Sequence, residues 1–239
     1  MKILVVNDDG IESGDLIRIA EVARKLGEVW VVAPDRQCSA MSHRLLLGQK
    51  KEVAIRTDFP VSVSGAYSVS GTPADCVKIA LHVLLPFKPD IVFSGVNYGW
   101  NAGFDIAYSG TVAAALEARM QGIPAAAFSR KAVPCAEVAD KYLFSTICSI
   151  MEKEISDSEI WNINFPGCSL EEYRGICWNT NVARIQMFPD IYRRYDEGQS
   201  FSVIEENRMI KKDDAPEGSD LKALFNNYTS VGKIRSHVL

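Results

Sequence analysis

Residues 3–10 read Ile3-Leu4-Val5-Val6-Asn7-Asp8-Asp9-Gly10, an apolar run that ends abruptly in polar side chains. A continuous run of branched apolar residues is typical of a strand buried on both faces of a parallel sheet. Residues 14–26 then place their apolar side chains on one helical face, and a second apolar run follows at 29–33. Strand, helix and strand in this order predict a βαβ unit and therefore a parallel sheet.

The alternation of helix and strand patterns continues along the chain. Thr72, Pro73 and Asp75 have the spacing of an N-cap, a first-turn proline and a third-position acid, which predicts a helix running to about Leu85. Further strands are predicted at 90–93, 125–128 and 160–165, and further helices at 111–121 and 137–155. We expect a doubly wound core over residues 1 to about 130, with shorter strands and loops outside it at 40–70 and 176–210.

Composition limits the possible partners. The chain has 239 residues, and 26 basic against 30 acidic residues give a net charge of −4, which disfavours long nucleic acid as a partner. No apolar run approaches the ~20 residues of a membrane span, and the first apolar run is too short for a secretory signal. The six cysteines form no CxxC pair, which is typical of a reducing compartment. We therefore expect a cytoplasmic protein without a membrane partner.

Polar side chains follow several predicted strands at the point where each strand ends. Asp8 and Asp9 follow the first strand, Ser39 lies in the loop after the second, and Asn97 follows the strand at 90–93. In an open parallel sheet, ligands bind beyond the carboxyl ends of the strands. Adjacent carboxylates repel each other unless a cation offsets their charge, and hard divalent cations prefer oxygen ligands. The alternative is that Asp8 and Asp9 are solvated loop or capping residues.

A second polar motif, Ser109-Gly110-Thr111, leads directly into the helix predicted at 111–121. Free backbone N–H groups and the helix dipole favour phosphate at such a position. The alternative is an ordinary helix cap by Ser109 or Thr111. His43 lies in a polar loop after the second strand and is an open candidate for the same site.

Other enzyme classes lack their signatures here. The sequence contains no GxSxG, Walker A, GxGxxG or HExxH motif. Phosphatases that form an aspartyl phosphate use Asp-x-Asp, in which one carboxylate attacks and the other protonates. Here Gly10 occupies the position of the second acid. That mechanism and a non-catalytic nucleotide-binding module remain as alternatives.

Taken together, the ordered motifs resemble the SurE survival-protein family of metal-dependent nucleotidases. The matching blocks are Ile3-Leu4-Val5-Val6-Asn7-Asp8-Asp9-Gly10-Ile11, Val32-Ala33-Pro34-Asp35-Arg36 with Ser39, Ser70-Gly71-Thr72-Pro73-Ala74-Asp75-Cys76-Val77, Pro89-Asp90-Ile91-Val92 with Asn97-Tyr98-Gly99 and Asn101, and Tyr108-Ser109-Gly110-Thr111-Val112-Ala113-Ala114-Ala115. The resemblance implies a three-layer α/β/α, Rossmann-like fold with a small C-terminal excursion, in one domain over residues 1–239.

The resemblance also implies a reaction and the residues for it. The reaction would be phosphate release from nucleoside 5′-monophosphates, with 3′-monophosphates as a further class, by metal-activated water. One Mg²⁺ or Mn²⁺ per subunit would be held by Asp8, Asp9, Ser39 and Asn97. Asp8 and Asp9 would be catalytic, with Asp9 preferred as the acceptor of the water's proton. Substrate phosphate would contact Asn97, Ser109, Gly110 and Thr111.

Members of this family form dimers or tetramers, so the resemblance implies a homodimer or homotetramer with contacts in the region 176–239. The chain departs from the family pattern at three places. Ala40 follows Ser39 where members have Gly, Phe201-Ser202-Val203 replaces Tyr-Tyr-Trp, and Ser230-Val231-Gly232-Lys233 replaces a closing Ser-x-Thr-Pro-Leu. The substrate-side loop and the C-terminal contacts are therefore expected to differ from those of typical members.

Overall fold

The structure is a computed structural model that describes residues 1–189, 192–205 and 208–235. Its strands are β1 (Lys2–Val6), β2 (Glu28–Pro34), β3 (Val53–Ile55), β4 (Gly65–Val69), β5 (Ile91–Tyr98), β6 (Ala125–Arg130), β7 (Glu159–Phe165), β8 (Ile176–Thr180), β9 (Tyr192–Glu197), β10 (Ser200–Glu205) and β11 (Thr229–Arg235). Its α-helices are α1 (Gly14–Ala23), α2 (Pro73–Ile79), α3 (Gly110–Met120), α4 (Glu137–Met151) and α5 (Asp220–Phe225).

Within the described ranges, nine strands form one sheet in the order β3-β4-β2-β1-β5-β6-β7-β11-β8. The pairs from β4 through β2, β1, β5 and β6 to β7 are all parallel. Strand β11 runs antiparallel to β7 and parallel to β8, and β3 runs antiparallel to β4. The predicted doubly wound, mostly parallel fold is confirmed.

The strand β1 shows why the sheet has a helical layer on each face. Successive side chains of a strand point to opposite faces. Ile3 and Val5 pack into one core with α1 and α4, whereas Leu4 and Val6 pack into a second core with α2 and α3. An uninterrupted apolar run is therefore required at β1, and the predicted three-layer α/β/α arrangement is confirmed.

The predicted helices have the right positions, but α1 and α4 end earlier than expected, at Ala23 and Met151. Helix α2 continues as a π-helical turn over Ala80–Leu84, so helical structure extends to the predicted limit near Leu85. The start of α2 is as predicted: the Thr72 hydroxyl accepts from the Asp75 N–H at 3.2 Å, and Asp75 accepts from the Thr72 N–H at 3.1 Å.

The expected limit of the core near residue 130 is wrong. Strand β4, from the region predicted to lie outside the core, pairs in parallel with β2 and buries Ala66 and Val69. Strands β7, β11 and β8 extend the opposite side of the same sheet. These strands carry polar or small residues among their apolar ones, so their sequences lack the continuous apolar run of β1.

The β9–β10 hairpin forms a separate two-stranded sheet, in agreement with a small C-terminal excursion. Among the described residues, none of the helices is long and apolar enough to span a bilayer.

Candidate active site

A cavity of about 580 Å³ lies at the carboxyl ends of β1 and β5, where the polar clusters were expected to meet. The residues that line it are Asp8, Ser39, Ala40, Asn97, Tyr98, Trp100, Asn101, Asp105, Tyr108, Ser109, Gln186, Phe188 and Tyr192. Three of the four predicted metal ligands, Asp8, Ser39 and Asn97, therefore face one space.

A tight turn after β1 presents the two acidic residues. The buried Asn7 side chain donates to the Gly10 carbonyl at 3.0 Å and accepts from the Gly10 N–H at 3.3 Å. Gly10 has a φ of +97°, in the region that favours glycine, and a Cβ there would come within 3.2 Å of the Arg36 carbonyl carbon. The Cys38 N–H donates to the Asp8 carbonyl at 2.7 Å, which ties the Ser39 loop to this turn.

Thr111 holds the Asp8 carboxylate from behind. The Thr111 hydroxyl donates to Asp8 Oδ1 at 2.6 Å, and its backbone N–H donates to Oδ2 at 3.1 Å. Gly110 permits this approach, because a Cβ there would lie 2.9 Å from Asp8 Cβ and 3.0 Å from Oδ2. The N-terminus of α3 thus packs directly against the acidic turn.

Burial raises the pKa of Asp8 to about 6; the hydrogen bond from the Thr111 hydroxyl opposes the rise, and the nearby charge of Asp9 adds to it. The ionised form of Asp8 is therefore costly without a compensating positive charge. This is the electrostatic setting in which a bound cation is favourable.

Asp9 and Asn97 are fixed at the end of β5. Asp9 Oδ2 accepts from the Tyr98 N–H at 3.0 Å. Asn97 donates its amide nitrogen to the Gly99 carbonyl at 2.8 Å, which directs its amide oxygen to the other side of the side chain. Strand β5 runs to Tyr98, beyond the predicted limit of residue 93, because pairing with β6 resumes at Asn97 after a register shift.

The donor chemistry fits a hard divalent cation. Two carboxylates, the Ser39 hydroxyl and the Asn97 amide supply only oxygen atoms. Across residues 1–189, 192–205 and 208–235, no group of three or more His, Cys, Asp and Glu side chains is arranged to hold a metal. A cation at this cavity would therefore depend on the Ser39 and Asn97 oxygens as well as on the acids.

In the predicted phosphate-binding motif, Ser109 lines the cavity whereas Thr111 is buried against Asp8. Ser109 caps α3 by accepting from the Val112 N–H at 3.1 Å, and it also lines the cavity. Thr111 is fully buried, and its hydroxyl is engaged with Asp8. Contact between Thr111 and phosphate stays a prediction, and the structure adds a role in holding Asp8.

The aromatic part of the cavity lining was not predicted. It includes Tyr108 and Phe188. Asp105 Oδ2 accepts from the N–H groups of Met187 at 2.9 Å and Phe188 at 3.3 Å, which fixes this distant segment beside the cavity. Tyr98 and Tyr108 lie within sequence motifs noted above, whereas no pattern in the sequence marks Phe188.

His43 does not line the cavity. Its Nε2 lies 2.9 Å from Glu117 Oε2 on α3, so it anchors the loop that carries Ser39. Burial raises the pKa of Glu117, but the contacts with His43, Gln121 and Lys78 together outweigh burial, and the pKa is lowered overall.

Comparison with known proteins is consistent with this geometry. Residues 3–187 match the family model described as Survival protein SurE. The chain belongs to the SurE family.

Several SurE proteins are similar over most of their length. The 5′-nucleotidase SurE of Pelobacter propionicus is 42% identical over 178 residues, covering 73% of this chain and 69% of that protein. The 5′-nucleotidase SurE of Clostridium botulinum (strain Kyoto / Type A2) is 35% identical over 237 residues, covering 97% and 91%. The crystal structure of the SurE protein from Aquifex aeolicus has a TM-score of 0.82 at 34% identity, covering 98% of this chain and 93% of that one.

Proposed function

We propose that this SurE protein is a metal-dependent nucleotidase that releases phosphate from nucleoside 5′-monophosphates, and also from 3′-monophosphates. The observation that carries the proposal is one cavity that combines two kinds of lining. It contains the oxygen-bearing side chains of Asp8, Ser39 and Asn97 together with exposed aromatic rings, among them Tyr108 and Phe188. A phosphate on a nucleoside needs both a group that binds the anion and a surface for a flat base.

Asp8, Asp9, Ser39 and Asn97 would hold one Mg²⁺ or Mn²⁺. When bound, the cation would lower the pKa of an attacking water and offset charge on the phosphoryl group. Ser109 and the N-terminus of α3 would hold phosphate oxygens through hydroxyl and N–H donors.

Asp9 is the preferred acceptor of the proton from the attacking water. Both oxygens of Asp8 already accept hydrogen bonds from Thr111. Asp9 has one oxygen held by the Tyr98 N–H, which orients the carboxylate. Attack by water avoids a covalent intermediate, in keeping with the lack of an Asp-x-Asp motif.

The aromatic side chains of the cavity would receive the nucleoside. Tyr108 is 52% exposed and Phe188 36% exposed, so both rings have a face available for stacking. Stacking of a base on an aromatic side chain contributes about 1–3 kcal/mol and tolerates different bases. This surface favours nucleoside monophosphates over small sugar phosphates.

The activity can be tested by phosphate release from AMP, CMP and 3′-AMP. We expect activity with Mg²⁺ or Mn²⁺, loss after exhaustive dialysis against EDTA, and recovery when the metal is restored. Asp9→Asn should lower turnover by several orders of magnitude, whereas the exposed control Asp58→Asn should not. Full activity of a metal-free preparation would contradict the proposal.

The route of phosphate transfer needs a separate experiment. Acid quench of the enzyme with ³²P-labelled AMP should leave no label on the protein. Stoichiometric label on Asp8 or Asp9 would replace the water route by an aspartyl-phosphate mechanism.

A homodimer or homotetramer is also proposed, with contacts in the region 176–239. The β9–β10 hairpin exposes Tyr195, Phe201, Val203 and Ile204, each between 46% and 54%. Exposed apolar side chains on one small sheet are typical of an interaction surface. Light scattering should give at least twice the monomer mass, and Phe201→Asp should lower it; a wild-type monomer at micromolar concentration would contradict this.

A cytoplasmic location is proposed from the cysteines, all six of which are free thiols in the structure. Fractionation of the source cells with an antibody against the chain would test it. Recovery outside the cytoplasmic fraction would contradict it.

A further inference from the structure

We propose that Arg130, held by Asp15, is a positioning residue for the metal-binding end of the cavity, and that it acts through Tyr98. The inference rests on the proposed function, because it concerns how Asp9 and Asn97 are arranged for the cation. Neither Arg130 nor Asp15 lines the cavity.

The first step is the fixed guanidinium of Arg130 at the end of β6. Its Nε donates to both oxygens of Asp15, at 3.0 and 2.9 Å, and its Nη1 donates to the carbonyls of Lys131 at 3.2 Å and Val133 at 2.8 Å. Arg18 forms a further ion pair with Asp15. Arg130 and Asp15 are both buried, so this planar group has little freedom to rotate.

The second step joins Arg130 to Tyr98. The guanidinium carbon lies 4.7 Å from the centre of the Tyr98 ring, within the range of a cation–π contact. The two residues are direct neighbours in the β5–β6 register, and the Gly99 N–H donates to the Arg130 carbonyl at 2.9 Å. Tyr98 is otherwise 48% exposed, so this contact is a principal restraint on its ring.

The third step joins Tyr98 to the metal-binding residues. The Tyr98 N–H donates to Asp9 Oδ2 at 3.0 Å, and Asn97 directly precedes Tyr98 in the chain. A rotation of the Tyr98 peptide would turn this donor away from Asp9 and would shift Asn97 with it. The Asp15–Arg130 pair thereby sets the orientation of two predicted ligands before any cation arrives, which lowers the cost of binding.

The test measures Mn²⁺ affinity of the full-length protein by calorimetry in the absence of substrate. Tyr98→Ala removes the ring and should weaken Mn²⁺ binding at least tenfold. Tyr98→Phe keeps the ring and should remain within about twofold of wild type. Because Tyr98 is half exposed, both variants should fold, and thermal melts check this.

A matched control distinguishes positioning from a general effect of losing an arginine–tyrosine contact. Tyr228 packs against Arg174 at 5.2 Å and does not line the cavity, so Tyr228→Ala should leave Mn²⁺ affinity unchanged. Arg130→Lys keeps the charge but loses the planar group, and it should weaken Mn²⁺ binding as Tyr98→Ala does.

Two results would overturn the inference. If a folded Tyr98→Ala variant binds Mn²⁺ as tightly as wild type, Tyr98 does not position the ligands. If Tyr98→Phe and Tyr98→Ala weaken Mn²⁺ binding equally, the contact between the ring and Arg130 is not responsible. A wild-type protein that binds no Mn²⁺ and releases no phosphate overturns the proposed function itself, and this role with it.

Discussion

Thr111 donates two hydrogen bonds to Asp8, one from its hydroxyl and one from its backbone N–H, so both carboxylate oxygens are held by a single residue of α3. The pair joins residues 103 positions apart in the sequence and is closed off from solvent. The orientation of Asp8 at the cavity therefore depends on the N-terminus of α3.

Thr111→Val should weaken Mn²⁺ binding by at least about tenfold, because a buried hydrogen bond to a charged group contributes roughly 1.5–3 kcal/mol. Valine fills the same volume, so the fold should survive. Thr111→Ser keeps the hydroxyl and is the control. Calorimetry with Mn²⁺ measures the difference, and equal affinities for the valine and serine variants would contradict the assigned role.

Gly110→Ala should abolish most phosphate release. Its Cβ would lie 2.9 Å from Asp8 Cβ, so either α3 or the acidic turn must move. Gly14→Ala is the matched control at the start of α1, where a Cβ meets nothing within 4 Å. Turnover of AMP by the two variants should differ by more than tenfold, and a fully active Gly110→Ala enzyme would show that the contact is easily relieved.

Phe188→Ala should raise the KM for AMP about fivefold or more while leaving kcat nearly unchanged, because loss of base stacking costs about 1 kcal/mol at least. The KM for ribose 5-phosphate, which has no base, should not change. Phe144, 39% exposed on α4 and away from the cavity, gives the control Phe144→Ala. Equal effects on both substrates would assign Phe188 to packing.

Glu117→Gln should reduce the fall in the free energy of unfolding that accompanies acidification from neutral pH to well below pH 4.5. The pKa of Glu117 is lowered below its ordinary value of 4.5, so its ionisation stabilises the fold above pH 4.5 and this contribution is lost as pH falls through the lowered pKa. We expect the variant to lose roughly 1–3 kcal/mol at neutral pH and to approach wild type well below pH 4.5.

Urea unfolding at neutral pH and at a pH well below 4.5 measures the difference in stability between Glu117→Gln and wild type. Glu152, which is exposed, gives the control Glu152→Gln. A loss that is constant across the range would mean that the charge of Glu117 contributes nothing.

Ala40→Gly should increase the free energy of unfolding by up to about 1 kcal/mol. Ala40 has a φ of +56°, in the left-handed region that favours glycine. Holding a non-glycine residue in this backbone region destabilises the folded state by about 1–2 kcal/mol. Glycine relieves that strain, but it makes the unfolded chain more flexible, which offsets roughly 0.5–1 kcal/mol of the gain. Ala132→Gly, outside the positive-φ residues, should destabilise; a less stable Ala40→Gly protein would contradict the argument.

Much of the fold could be predicted because the local sequence of β1 is enough to identify it as a strand buried on both faces. Its uninterrupted apolar run requires two covering layers, and the strand-end rule then brings Asp8, Ser39 and Asn97 together. The wrong prediction that the core ends near residue 130 has a physical reason. Strands β4 and β11 are stabilised by pairing with neighbouring strands, and their own sequences show only a weak strand pattern.

The convergence of Asp8, Ser39 and Asn97 on one cavity was predictable, whereas the aromatic lining of that cavity was not. Phe188 reaches the cavity because Asp105, 83 residues earlier, accepts from its backbone N–H. Nothing in the local sequence near Phe188 encodes that bond. The inward turn of the Thr111 hydroxyl likewise depends on how closely the start of α3 approaches Asp8 in the turn after β1, which a helix-start motif does not specify.

Strand β11 lies between β7 and β8, although both precede it in the chain. In the described structure β8 has β11 as its sheet neighbour, so residues 176–180 must wait for residues 229–235 before they can join the sheet. During synthesis, β1 through β7 can assemble as the chain emerges from the ribosome, whereas β8 stays unpaired for the time needed to translate about 50 more residues, several seconds at ordinary elongation rates. The last part of the sheet is thus completed only near the end of translation.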